Sequence, residues 1–404
     1  MHRNATTVIL LTSAILTAGA LAGPYSSGLG DADNAYDAPV PGWVGPDGIG
    51  RADTDQNLAP NNYVNPAFVG WAGRVVDYSP APGVSTDDQQ QHYDWTDTRK
   101  ALGPATGVVT DVVSLGDLYD PADADSYDAD PADTSDDMGF IGFDSPGSIT
   151  LGFSRPIRNG VGADLAVFEN SLYDAYYGHV FAELAYVEVS TDGVNFARFA
   201  ADSLTPGPVG PYGSIDPTNV HNLAGKHANG QVTINKETYN ASWGTPFDLQ
   251  ELSDAEAVAD GLVDLQQINF VRLVDIPGSG DFADADGDPV YDAWTTYASG
   301  GFDLDAVGAL HGVLNGDANC DGVVNLLDLA VVSTWWGRTD ATWQTGDFTG
   351  DGLVGRADLE ILNAHYGLRA SSPEELEAMI SVPEPATMLV LMMGGAILLP
   401  GRRG

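Results

Sequence analysis

Two stretches of the chain place oxygen-bearing side chains at nearly every other position. The first is Asp317-Ala-Asn-Cys-Asp-Gly-Val-Val-Asn-Leu-Leu-Asp328. The second, thirty residues further on, is Asp347-Phe-Thr-Gly-Asp-Gly-Leu-Val-Gly-Arg-Ala-Asp358. Calcium takes six to eight oxygens, and a twelve-residue loop supplies them from positions 1, 3, 5, 7, 9 and 12 around a glycine at position 6. In the first loop those positions hold Asp317, Asn319, Asp321, the Val323 carbonyl, Asn325 and Asp328, with Gly322 at the turn. In the second they hold Asp347, Thr349, Asp351, the Leu353 carbonyl and Asp358, with Gly352 at the turn. Gly355, at position 9, has no side-chain oxygen. A water is expected to complete that set, and the second site to be the weaker.

Each loop runs into a segment with helical apolar spacing. Leu329, Val332 and Trp336 match Leu359, Leu362 and Tyr366, and Gly337 matches Gly367. Apolar residues at i, i+3 and i+7 predict one buried stripe per helix, with the glycine just past the helix end. Loops and helices repeat together, which sets them apart from the many acidic turns of an acidic chain. Residues 314–368 are thus expected to form a small helical calcium module.

The duplication resembles the type I dockerin domain. The resemblance implies Ca2+ as the cofactor and a cohesin-like protein as a partner. Aspartate at position 12, in place of the usual glutamate, fits that family. Cellulosomal dockerins contact cohesin through the residues just before position 12, often a Ser/Thr pair. Here those positions hold Leu326-Leu327 and Arg356-Ala357. The departure bears on cohesin binding and leaves calcium binding untouched.

Two other regions are dense in acid. In Asp281–Asp292, the residues Asp284, Asp286, Asp288 and Asp292 are candidates to gather around one cation, with Asp303 or Asp305 arriving from the next strand. Oxygen-only ligands favour calcium; a solvated loop is the alternative. Residues Asp117–Asp137 carry nine aspartates and no basic residue, which reads as a solvated loop or a partial calcium site.

The formal net charge is −41. Such a field repels nucleic acid and anionic membrane surfaces and suits cations. A hydrophobic content of 43% argues against global disorder. The single cysteine, Cys320, excludes a disulfide framework and a cysteine zinc cluster.

Residues 1–22 read as a secretory signal, with Arg3, the apolar run 8–16 and Ala20-Leu21-Ala22 before the cut. Residues 23–313 are expected to form a β-sandwich domain, poor in regular pattern over 23–105 with isolated short strands, and patterned as β strands from Gly139 to Gly312. The strands are Ala67–Trp71, Arg74–Tyr78, Ser148–Phe153, Asp164–Phe168, Leu184–Ser190, Asn195–Phe199, Ile268–Asp275 and Phe302–Leu310. Ser148–Phe153 alternates as a half-buried strand should, and Thr191-Asp192-Gly193 is a hairpin turn. Helix is scarce, with Ser253–Asp260 the best short candidate. The fold class is mainly β: an antiparallel jelly-roll-like sandwich, the small α-helical loop pair, and a C-terminal apolar helix.

Lys100–Pro104, Val113–Gly116, Gly147–Phe153, Asp164–Glu169, Val187–Gly193 and Gly300–Val307 resemble the discoidin or galactose-binding-like jelly roll of bacterial surface proteins. That resemblance implies loops at one end that bind sugars or other surface ligands. After a linker at 369–381, Val382-Pro-Glu-Pro385, the apolar run Ala386–Pro400 and Arg402-Arg403 resemble a PEP-CTERM sorting signal. This implies an exosortase-type enzyme as partner, removal of the tail, and a surface or matrix destination in a Gram-negative-type envelope.

The chain has no Gly-x-Ser-x-Gly elbow, His-Glu-x-x-His, phosphate loop or dinucleotide fingerprint. His92, His179, His221 and His227 have no visible partners in the sequence. Glu169 and Glu183 flank the tyrosine-rich loop 173–177 and are the best carboxylate pair, with strand-end hydrogen bonding or calcium ligation as the alternatives. Tyr173, Tyr176, Tyr177 and Phe181 could stack on sugar rings or pack in the core. The reading is a non-catalytic, secreted, calcium-binding protein that binds extracellular polysaccharide or another surface ligand. The alternatives are a polysaccharide-degrading enzyme and a calcium-bridged matrix protein.

Overall fold

A computed structural model describes residues 23–26, 37–45, 62–85, 93–124, 138–140, 146–174, 176, 178–234, 237–296 and 298–370. The signal stretch, His92, Tyr177, most of the Asp117–Asp137 run and the sorting tail lie outside the described residues. The chain is mainly β, with antiparallel pairing throughout its two large sheets.

The front sheet runs Val40–Pro41, Trp243–Phe247, Leu165–Glu169, Asp303–Ala309, Gly70–Trp71, with Val113–Ser114 beside Asp303–Leu304. The back sheet runs Ala197–Arg198, Leu184–Ser190, Ile268–Ile276, Ser148–Ile157, Arg74–Ser79. Strand Leu184–Ser190 spans the predicted residues, and its hairpin partner pairs Ala197 with Val189 across the Asp192-Gly193 turn. Asp192 holds that turn by accepting from Val194 N and Asn195 N, both at 2.8 Å. The chain changes sheets at Ala72-Gly73. Ala72 N bonds Val307 O in front, and Gly73 N bonds Gly152 O behind, so the sheets curl into one wrap.

Ile149, Leu151, Val187, Val271 and Leu273 from the back sheet meet Leu165, Val167, Phe302, Leu304 and Val307 from the front. Each such side chain stabilises the fold by about 1.5–3 kcal/mol when fully buried. The expected half-buried alternation of Ser148–Phe153 is not seen, because Thr150 on the outer face is buried too. Its cross-strand neighbour Arg272 lies over it, bonded to Glu188 and stacked on Phe196, while Arg198 bonds Glu188 and covers Tyr186. Long side chains thus roof the sheet with their stems. The helix expected at Ser253–Asp260 is one turn, Glu256–Ala259, after a 3-10 turn at Leu249–Leu252.

Two helices follow, Leu326–Trp335 and Arg356–His365. Their core is Val313, Ala318, Val324, Val332, Trp343, Phe348, Val354 and Leu362. Trp336 and Tyr366 do not join it. Each is about half exposed, because the backbone leaves the helix there, and Trp335 packs inward in place of Trp336. Gly337 and Gly367 follow with φ of +75° and +88°, as helix-ending glycines should. No described helix is long and apolar enough to cross a membrane.

Candidate metal centre

The two loops fold alike because the same positions make the same bonds. Asp328 accepts from Ala318 N at 2.8 Å, Asn319 N at 3.3 Å and Asn325 N at 2.8 Å. Asp358 accepts from Phe348 N at 2.9 Å, Thr349 N at 3.0 Å and Gly355 N at 2.8 Å. Asp317 accepts from Gly322 N and Asp347 from Gly352 N, both at 2.8 Å. Asp321 and Asp351 accept from Val323 N and Leu353 N, both at 2.9 Å. Gly322 and Gly352 take φ near +80° at the turn, where a side chain would be strained.

Position 9 separates the loops. Asn325 caps the first helix by accepting from Leu327 N at 2.7 Å, and its amide donates to the Val323 carbonyl at 3.0 Å. Gly355 has no side chain to do either. Thr349 instead donates its hydroxyl to Asp347 at 3.1 Å, while the Asn319 amide donates to Asp321 at 2.9 Å.

The halves are interlocked. Val324 of the first loop bonds Leu368 O beyond the second helix, and Gly367 N bonds Val324 O. Val354 of the second loop bonds Arg338 O beyond the first helix, and Gly337 N bonds Val354 O. Trp343 donates its indole N–H to the Asp317 carbonyl at 2.7 Å. A ten-residue helix is marginal in water on its own, so each half depends on the other.

Asp317, Asp328, Asp347 and Asp358 are buried, while Asp321 and Asp351 are exposed. Burial, with Asp328 and Asp321 beside it, pushes the Asp317 carboxyl up to about 6. Oxygen donors crowded to that point match calcium's preference. Among the described residues no three His, Cys, Asp or Glu side chains already form a metal-holding group. The loop carboxylates are turned onto backbone N–H groups.

The turn at 281–292 is built differently. Asp284 accepts from Ser203 N at 3.0 Å, Asp286 N at 3.0 Å and Asp288 N at 2.9 Å, and so closes the turn itself. Asp292 is buried elsewhere, on Leu184 N at 2.6 Å, and Asp286 and Asp288 are exposed. Asp305 bonds Thr106 N and Gly107 N at 2.8 Å and the Asn229 amide at 2.7 Å, and so holds the 106–107 loop.

The buried histidines do have partners. His221 sits between Asp37 and Glu251, each at 3.4 Å, and His227 Nε2 lies 2.9 Å from the Asp37 carbonyl. Lys226 is fully buried on Asp37 and the Val220 carbonyl. Asp37 lies far away in sequence, so no local pattern announces this cluster. Tyr173 is core, Tyr176 is exposed, and Phe181 stacks on Tyr212. Glu169 and Glu183 are both buried.

The module packs on the sandwich through Arg155. Its Nε donates to the Val313 carbonyl at 2.7 Å, and its guanidinium lies over the Trp343 ring at 6.0 Å. Gln344 adds a bond to Asn269 at 2.9 Å.

Residues 315–365 match the family model of the dockerin type I domain. The matched span holds both loops and both helices, and dockerin domains in general bind calcium and occur in extracellular and cell-surface proteins. No curated protein and no solved structure matches the chain.

Proposed function

We propose that the chain is a non-catalytic surface protein. Its dockerin module, loaded with calcium on Asp317, Asn319, Asp321, Val323, Asn325 and Asp328 and on Asp347, Thr349, Asp351, Leu353 and Asp358, docks on a cohesin-like protein. One observation carries this reading. The residues just before position 12 are exposed in both loops, and Leu326 and Leu327 are 67% and 59% exposed although apolar. Paired exposed leucines at the start of a capped helix form a small hydrophobic contact. An apolar pair where a Ser/Thr pair is usual selects a partner with an apolar counter-surface.

The sandwich then carries the ligand-binding role. The sequence segments that resemble a discoidin-like jelly roll are what favours a sugar or other surface ligand, and the tail residues that resemble a PEP-CTERM signal are what favours handling by an exosortase. The test is capture of the full chain by immobilised type I cohesin modules in millimolar calcium and in chelator. Calcium-dependent capture, lost in Leu326→Asp/Leu327→Asp, is expected. Equal capture of parent and variant would overturn the docking face. Polysaccharide added to the same samples separates binding from hydrolysis, and soluble products would favour the enzyme reading.

A further inference from the structure

A lysine and a carboxylate from distant parts of the chain are shut in together. Lys226 Nζ touches Asp37 Oδ2 across 189 positions and donates to the Val220 carbonyl at 2.5 Å. The Lys226 side chain is 0% exposed and that of Asp37 7%. The Tyr25 ring lies 5.6 Å from the lysine nitrogen and stacks on His221, with ring centroids 4.8 Å apart. Asp37 reaches the lysine with φ of +124°, a backbone conformation that side chains rarely adopt.

The two Asp37 oxygens have different surroundings. Oδ1 accepts from Ser26 N at 2.8 Å. Oδ2, the oxygen against Lys226, also lies 3.4 Å from His221 Nδ1, and His221 Nε2 lies 3.4 Å from Glu251 Oε2. Burial works to lower the His221 pKa, but Asp37 and Glu251 outweigh it and raise it, so the ring has a proton to give. Burial works to raise Asp37, but His221 and Lys226 hold it low, so the pair meets as ions. Burial also pulls Lys226 below its ordinary value against the pull of Asp37, which favours the free amine that nucleophilic attack needs.

Keeping two charges out of water carries a desolvation cost that a neutral group in the same space does not. Reacting groups held in contact also act at effective concentrations on the order of 10⁵–10⁸ M. We propose that Lys226 and Asp37 join through an amide bond formed within the folded chain. One Lys226 proton passes to the Asp37 carboxylate, and the freed amine adds to Cγ. Ser26 N–H stabilises Oδ1, the oxygen that stays, as charge builds on it. His221 gives Oδ2 a proton as the Cγ–Oδ2 bond breaks, and it recovers one from the lysine nitrogen. The balance is one ammonium and one carboxylate to one amide and one water. A cavity of about 240 Å3 beside the pair, lined in part by Asp37, His221 and Glu251, receives the water. The amide ties the segment before the edge strand Val40–Pro41 to the body of the sandwich, in a chain whose single cysteine allows no internal disulfide. The inference is independent of the dockerin module.

Peptide mapping of the denatured full chain by mass spectrometry tests it. The peptides that carry Asp37 and Lys226 are expected as one branched species, lighter than their sum by one water. In Asp37→Asn the same bond forms with loss of ammonia, so the branched species has the parent's mass. In Lys226→Arg it is absent although the charge is kept. In His221→Gln the linking of freshly made chain should slow by about 100-fold or more, the usual worth of general acid–base help; an unchanged rate would overturn the part given to His221. Two separate peptides at full mass from the parent overturn the proposal and leave a buried ion pair. The parent's map decides this without any variant, so a variant that fails to fold does not weaken the test.

Discussion

Asp328 and Asp358 stand thirty positions apart and make the same three hydrogen bonds, each to two N–H groups at the head of its loop and one just before its helix. Both are fully buried, and each carboxylate ties the start of a loop to its end. Asp328→Ala would leave three N–H groups without that acceptor. It should destabilise the module by roughly 2–4 kcal/mol, given about 1–3 kcal/mol for each buried group left unsatisfied and partial relief by water. Chemical denaturation in millimolar calcium checks this; a loss below about 0.5 kcal/mol would contradict it.

The two loops should differ in affinity. Gly355 supplies neither the cap nor the position-9 oxygen that Asn325 supplies. Gly355→Asn should stabilise the second helix by only a few tenths of a kcal/mol, since glycine is itself a tolerated N-cap, but should tighten the weaker calcium step by adding the position-9 oxygen. A titration at calcium concentrations on the order of 0.1–1 mM, the range of extracellular modules, resolves the two steps. An unchanged weak step would show that a water serves equally well.

Arg155 joins the module to the sandwich, with its Nε on the Val313 carbonyl and its guanidinium over Trp343. Arg155→Ala should loosen the joint and leave both parts folded. Faster proteolytic cleavage near Leu314, with an unchanged sandwich melting temperature, is expected. Equal cleavage of parent and variant would mean that Gln344 and Asn269 suffice.

His227 sets an acid limb to stability. Burial, then the Lys226 charge, pulls its imidazole down to about 3 from the ordinary 6.5. The folded state therefore keeps it neutral where the unfolded chain takes up a proton. Its contribution is fully present above pH 6.5 and is lost as pH falls toward 3, at up to about 1.4 kcal/mol per pH unit. His227→Gln should flatten the unfolding free energy across that window, and a variant as acid-sensitive as the parent would contradict the assignment.

The loop residues and most large strands were legible because their signals are local. Position, glycine and helix register lie within one twelve-residue window, and Leu184–Ser190 announces itself by composition and turn. What was not legible depends on distant chain. Trp336 has the right spacing for a buried stripe, yet the helix ends one residue earlier. Thr150 reads as exposed until Arg272 and Glu188 arrive from neighbouring strands. Lys226 finds Asp37 across 189 positions. In the turn 281–292, Asp284 accepts backbone N–H bonds from its own loop, and acid density alone does not reveal that.

The most direct test of the calcium module is hydrogen exchange of the full chain in millimolar calcium and in chelator. The interlocked loops predict that amides of 326–335 and 356–365 lose protection together in chelator, while Leu184–Ser190 and Ile268–Ile276 keep theirs. Equal helix protection in both conditions would mean that the loops hold the module without calcium, and the account of their carboxylates would be wrong.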